Sequence, residues 1–273
     1  MHTPLTHFAR QIRRHAVQMV SRAGASHIGG ALSMADILAA LYEPTCGRLR
    51  VDPTQPAWPE RDRFILSKGH ACVGLYAALA EAGFIARTEL ASYAQDGSRL
   101  MSHVSHKVPG VEFSTGSLGH GLSFGAGLAL GAKRQQRSWR TVVLLSDGEL
   151  NEGSNWEAIL FAGHHRLDNL WVVVDFNKIQ SLGRVAEVLQ LDPLPEKWQA
   201  FGWATVRVAG NDVTAVHRAL TLDTPPEPGK PTVIIADTIK GAGIDFMEDQ
   251  LLWHYKSPSA AQLESALQQL EVA

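Results

Sequence analysis

The run Thr141-Val-Val-Leu-Leu-Ser146 passes straight into Asp147, Gly148 and Glu149, and a second run, Trp171-Val-Val-Val-Asp175, leads to Asn177, Lys178 and Ile179. Both runs are short, β-branched and apolar almost throughout, which is the composition of parallel strands covered on both faces. Each ends in residues that carry oxygen donors. Two adjacent parallel strands ending this way would gather those oxygens at the carboxyl edge of a sheet, where open α/β folds bind ligands.

The pattern repeats outward from this pair. Residues 205–208 and 232–236 have the same strand composition. Helical stretches are expected near 33–42, 72–82, 119–134, 153–165 and 212–220, and a last helix presents Leu263, Ala266, Leu267 and Leu270 on one side. Ser33 and Asp36 are spaced as a capping pair for the first of these helices. An apolar stripe of Leu5, Phe8, Ile12, Ala16, Met19, Val20 and Ala23 marks another at the amino end. Strands alternating with helices predict an α/β fold, a mostly parallel sheet with helices on both faces. The loops at 52–59 and 224–231 are too short to be linkers, and there is no internal repeat, so residues 1–273 are expected to form one domain.

Composition excludes several classes of function. Of the 273 residues 45% are hydrophobic and 19% charged, with a formal net charge of −2. Nothing in that balance calls for nucleic acid or an anionic membrane as partner, and no apolar run approaches a membrane span. Cys46 and Cys72 have no nearby second cysteine and no metal-ligand spacing, which suggests reduced thiols in a cytoplasmic protein. The first 35 residues hold four arginines and no acid, as in an organelle transit peptide. The stripe running from Leu5 directly into the segment around His27 argues that they are domain structure instead.

A carboxylate, a carboxamide and a backbone carbonyl supply only part of a magnesium shell, and Mg²⁺ usually completes it with phosphate oxygens and water. Asp147 and Asn177 therefore suggest a metal-bridged diphosphate, with Gly148 allowing close backbone approach. An Asp-Gly pair after a strand is by itself only a turn, and it is the Asn-Lys-Ile end of the next strand that favours a site. Between Phe113 and Gly131 six glycines punctuate an apolar stretch. Gly116 to Gly121 suit a turn whose backbone and following helix terminus face a ligand, whereas Gly125 to Gly131 suit close packing inside a buried helix. His27, His70 and His103 fall in loops or at helix starts, where imidazoles can bind phosphate, donate to sugar hydroxyls or move protons. A single histidine in a loop is usually a surface residue, and no histidine, cysteine and carboxylate spacing makes a zinc site.

Taken in order, SHIGGALSMADIL (26–38), DRFILSKGHA (62–71), LMSHVSHKVPGVEFSTGSLGHGLSFGAGLAL (100–130), SDGELNEGSNWEA (146–158), VDFNKIQSLG (174–183) and KGAGIDFMEDQLLWHYKSP (240–258) resemble the N-terminal half of transketolase. The likeness is greatest to N-terminal subunits made as separate chains. It implies a thiamine diphosphate-binding fold with thiamine diphosphate and Mg²⁺ (or Ca²⁺ or Mn²⁺) as cofactors. The implied metal ligands are Asp147, Asn177 and the Ile179 carbonyl. His70, Gly148, Glu149, Asn177 and His254 match positions around the diphosphate, and Gly116 and Leu118 a turn bordering the rings. His27, His103 and His254 match histidines of the donor-substrate channel. Glu152 and Glu157 match acids of a carboxylate network across a subunit interface, although Glu152 also suits a helix N-terminus without any such role.

The resemblance further implies transfer of a two-carbon ketol unit from a ketose phosphate to an aldose phosphate. It implies a C-terminal-half partner subunit carrying the pyrimidine-binding and C-terminal domains, assembled with this chain as a heterotetramer. The glutamate that activates the cofactor belongs to that partner, and no candidate for it occurs here. Ser102 and Val104 flank His103 where the family has Gly and Pro, Ala242 stands where Lys is frequent, and Tyr255 where Gly is common. The alternatives are another thiamine diphosphate enzyme, such as a deoxyxylulose phosphate synthase-like or ketoacid-decarboxylating one, and a scaffolding subunit without catalysis.

Overall fold

The computed structural model describes residues 3–272; Met1 and His2, the start of the arginine-rich segment, lie outside the described residues. The five parallel strands are β1 (Arg63–Leu66), β2 (Thr141–Ser146), β3 (Leu170–Phe176), β6 (Ala204–Ala209) and β7 (Thr232–Asp237), in the order β1-β2-β3-β7-β6. A small antiparallel hairpin, β4 (Ile179–Gln180) with β5 (Gly183–Arg184), follows β3. In the central register Ser146 lies opposite Asp175 and Phe176 opposite Asp237, so the carboxyl ends of β2, β3 and β7 lie side by side.

β2 and β3 are buried at every position, as their composition predicts. Side chains alternate between two cores. Val142, Leu144, Trp171, Val173 and Ile234 enter one with helices α1 (Pro4–Ala23), α2 (Ile28–Ser33), α3 (Ala35–Tyr42), α4 (Cys72–Glu81), α9 (Val213–Ala219) and α10 (Ala260–Val272). Val143, Leu145, Val172, Val174, Val233 and Ile235 enter the other with α5 (Gly121–Arg134), α6 (Gly153–His164), α8 (Leu194–Ala200) and the short α7 (Val185–Val188). This is an α/β fold with helices on both faces of a parallel sheet. The crossover from β2 to β3 through α6 lies on one face, and that from β6 to β7 through α9 on the other. The chain therefore leaves a crevice at the carboxyl ends of the strands between them.

Three expectations need correction. The edge strand β1 lies within the 62–71 motif and was not anticipated, because its four residues are too few to show periodicity. Ser33 and Asp36 do not cap a helix. Ser33 is the last residue of α2 and its hydroxyl donates to Asp175, while Asp36 pairs with Arg13. Only Gly125 among the later glycines of α5 supports close packing, since a β-carbon there would meet Val143. Gly127 and Gly131 face open space.

Candidate functional site

Asp147 follows the last residue of β2, and its carboxylate accepts hydrogen bonds from Gly148 N, at 2.7 Å, and Lys178 N. It thereby ties the end of β2 to the turn after β3. In that turn Asn177 Oδ1 accepts from Ile179 N at 3.2 Å, and Lys178 adopts a left-handed backbone with φ 70°. The Ile179 carbonyl accepts from Lys240 Nζ at 2.9 Å. Carboxylate, carboxamide and carbonyl oxygens are the donor set of a hard divalent cation, and an ammonium already sits on the third of them. Among the described residues no cluster of three histidine, cysteine or acidic side chains could hold a metal by itself. The mixed oxygen set at the ends of β2 and β3 therefore fits a cation whose shell is completed by phosphate, as a diphosphate cofactor would supply.

A buried ion pair lies beneath. Lys68, at the end of β1, pairs with Asp175 of β3 and donates to Gly30 O at 3.0 Å. Asp175 also accepts from Ser33 Oγ at 2.6 Å and from the Thr238 hydroxyl. Every oxygen of this carboxylate is used, which is what allows a charge to be buried here. Neither Lys68 nor Lys240 was recognised from sequence. Each follows strand-end residues in the motifs SKGHA and KGAG, and that position at the carboxyl edge was the available signal.

Four histidines meet over this floor. The His27 ring centroid is 5.2 Å from that of His70, 6.1 Å from His103 and 5.0 Å from His254. His27 precedes α2 in a left-handed conformation with φ 69°, and its N–H donates to His254 O at 3.1 Å. Ser26 Oγ lies 2.9 Å from its Nδ1. Lys240 Nζ lies 3.1 Å from His254 Nδ1. An ammonium can only donate, so His254 accepts at Nδ1 and carries its proton on Nε2.

These histidines, Asp147, Gly148, Glu149, Asn177, Ile179, Gly116, Leu118 and Glu152 all line one cavity of about 620 Å³. Gly116 lies against His103, and Val104, buried beside it, fixes the loop by donating its N–H to Gly69 O at 3.2 Å. Ser102 and Val104 thus coexist with a His103 held at the cavity. Glu149 reaches the wall, but its carboxylate is a buttress: it accepts from Ser67, from Gly119 N at 3.0 Å and from Ser146 N at 3.3 Å. Glu157 is exposed on α6, away from the cavity. Ala242 is buried, its carbonyl accepting from Arg13 Nε at 2.9 Å, and the Tyr255 hydroxyl donates to Ser181 O on the hairpin. Two further lining residues were not singled out from sequence. The buried atoms Asn151 Oδ1 and Gln180 Nε2 have no hydrogen-bond partner.

The field follows from burial and the lysines. Desolvation first, then His103 and Lys240, lower His27 to about 4. Desolvation first, then Lys240 and His27, lower His254 to about 3. His70 is held well below its usual value by burial and then Lys68. Burial, reinforced by Asp175, lifts Asp147 to about 6. Burial, then Lys68, lowers Lys240 to about 8. The crevice is therefore a desolvated, lysine-rich place that stabilises anions, with one strained carboxylate that a cation would relieve.

A parallel sheet whose carboxyl edge joins these oxygens, two lysines and four histidines suits an anionic ligand bridged by a cation, the kind of site a diphosphate cofactor requires. The chain belongs to the transketolase, thiamine diphosphate binding domain family, whose model matches residues 5–270. It is 45% identical over 265 residues to one subunit of the apulose-4-phosphate transketolase of Actinobacillus succinogenes, covering 96% of this chain and 94% of that one. It is 38% identical over 272 residues to a 6-deoxy-6-sulfo-D-fructose transketolase subunit of a Clostridium species, covering 98% and 96%. Among solved structures, transketolase from Campylobacter jejuni matches with a TM-score of 0.92 at 30% identity, over 99% of this chain and 43% of that chain. The chain thus spans less than half the length of that enzyme but nearly the whole of the two subunits.

Proposed function

We propose that this chain is the cofactor-gripping N-terminal subunit of a two-component transketolase, moving a ketol unit between sugar phosphates. The carrying observation is the meeting of Asp147, Asn177 and the Ile179 carbonyl with His27, His70, His103 and His254 in one cavity. Residues 1–273 act in this account as one domain. The pyrimidine-binding and C-terminal domains belong to a partner subunit, in a heterotetramer, as the subunit names of the relatives suggest.

Asp147, Asn177 and Ile179 O would hold Mg²⁺, and Lys240 and Lys68 would balance diphosphate charge. Thiamine diphosphate, when bound, supplies the electron sink for cleaving and forming the carbon–carbon bond. Neutral His254 offers its Nε2 proton to a substrate oxygen, and His27, kept neutral near pH 7 by burial and its cationic neighbours, can hydrogen-bond a substrate hydroxyl. Glu152, at the cavity, and Glu157, exposed on α6, would join a carboxylate network across the interface with the partner.

The test is to co-express the chain with its partner, purify the complex and assay ketose-to-aldose transfer with thiamine diphosphate and Mg²⁺. Asp147→Ala should abolish cofactor retention while leaving the circular dichroism spectrum unchanged. Carbon dioxide release in place of aldose transfer would move the assignment to a decarboxylating relative, and full activity in Asp147→Ala would remove the catalytic reading.

A further inference from the structure

We propose that Gln180 is an additional anchor for the cofactor's diphosphate, donating from its side-chain amide; this rests on the function proposed above. Its Nε2 is shielded from solvent and finds no acceptor; unlike the unpaired Trp171 and Trp198 indoles within the cores, it belongs to a residue at a cavity, where a ligand can supply the partner that buried donors mostly have. The residue lines the same cavity as Asp147, Gly148 and Asn177.

The rest of Gln180 is held firmly. It pairs with Gly183 across the β4–β5 hairpin. The carbonyl before it, Ile179 O, accepts from Lys240, and the carbonyl after it, Ser181 O, accepts from the Tyr255 hydroxyl. Arg184 on the same hairpin pairs with Asp249 at 2.7 Å. Three ties thus join the hairpin to residues 240–255, while the amide they position is left without a partner. Pre-organising a donor in advance is what makes a binding contact effective.

The side chain lies over Gly148. A β-carbon on Gly148 would stand 2.7 Å from Gln180 Cβ, so glycine at 148 is required for Gln180 to approach the strand end. Lys68 and Lys240 make this the cationic floor of the cavity. A neutral N–H donor on such a floor suits a multiply charged phosphate, because donors to charged acceptors form the stronger hydrogen bonds. Gln180 has no charge to titrate and no substrate proton to move, which assigns it to holding the anion.

The experiment uses the complex of this chain with its partner and measures binding of thiamine diphosphate with Mg²⁺ by calorimetry, and of inorganic pyrophosphate by competition. Gln180→Met, which keeps the volume and removes the donor, should weaken both about tenfold. Gln180→Glu, isosteric but anionic, should weaken both further, with thermal midpoints of both variants close to wild type. Wild-type affinity for both probes in Gln180→Met, together with lost binding in Asp147→Ala, would overturn the role of Gln180 and leave the cofactor site standing. Undiminished binding in Asp147→Ala would overturn both.

Discussion

Gly116 and His103 touch: a β-carbon on Gly116 would stand 2.9 Å from His103 Cδ2. The turn of the glycine-rich segment is thus what lets His103 come this close to the cavity wall. A methyl group there would push the imidazole aside, since the contact is tighter than carbon atoms tolerate. Gly116→Ala in the assembled complex is expected to lower kcat/KM by one to two orders of magnitude, as misplacement by about 1 Å can, with little change in melting temperature. Unchanged kcat/KM would show that His103 has room to move without consequence.

The pair of Lys68 and Asp175 sets a prediction about stability. Both side chains are essentially inaccessible, at 1% and 0% exposure. Removing one partner leaves a buried charge uncompensated. Lys68→Met should therefore cost about 3–5 kcal/mol, read from denaturant unfolding. A loss below about 1 kcal/mol would mean that Ser33 and Thr238 alone satisfy Asp175.

Asp147 should behave in the opposite sense. Its folded pKa, about 6, lies above the ordinary 3.8, so the buried charge destabilises the cofactor-free chain fully above pH 6. That penalty fades as pH falls toward 4 and the proton returns. Asp147→Asn is then expected to stabilise the cofactor-free chain at pH 8 by about 1–3 kcal/mol, with the advantage shrinking toward pH 4. A variant less stable than wild type at pH 8 would contradict the strained-carboxylate account, in which the site trades stability for a cation.

The histidine cluster carries its own signature. With Lys240 donating to Nδ1, His254 should appear in ¹⁵N-correlated spectra of the cofactor-free chain as the Nε2-protonated tautomer and remain neutral through pH 5. Lys240→Met removes the neighbouring charge, so His254 should titrate at higher pH. A doubly protonated His254 at pH 6 in the wild type would refute the arrangement.

The fold was largely legible because β2 and β3 are long, apolar and flanked by helical periodicity, so both pattern and position agree. Strand β1 escaped because Arg63 to Leu66 is short and its burial depends on pairing with β2. Ser33 and Asp36 mimicked a helix cap because spacing alone cannot reveal that a hydroxyl is claimed by Asp175, 142 residues away. At the site, Asp147, Asn177 and the histidines were visible from their motifs. Lys68 and Lys240 were not, since lysine is almost always solvated and only the folded sheet shows these two buried. Gln180 and Asn151 gave no sequence signal, because an unpaired amide is a property of the finished cavity. Glu149 illustrates the converse: its motif marks the site, yet its carboxylate supports the Gly119 turn and the end of β2.

In the proposed function a divalent ion at the ends of β2 and β3 holds the diphosphate. The most direct measurement is electron–nuclear double resonance on the assembled complex loaded with Mn²⁺ and thiamine diphosphate. Strong phosphorus hyperfine coupling to a single bound Mn²⁺, lost in Asp147→Ala, is the predicted result. Bound Mn²⁺ without phosphorus coupling, or coupling that persists in Asp147→Ala, would contradict it.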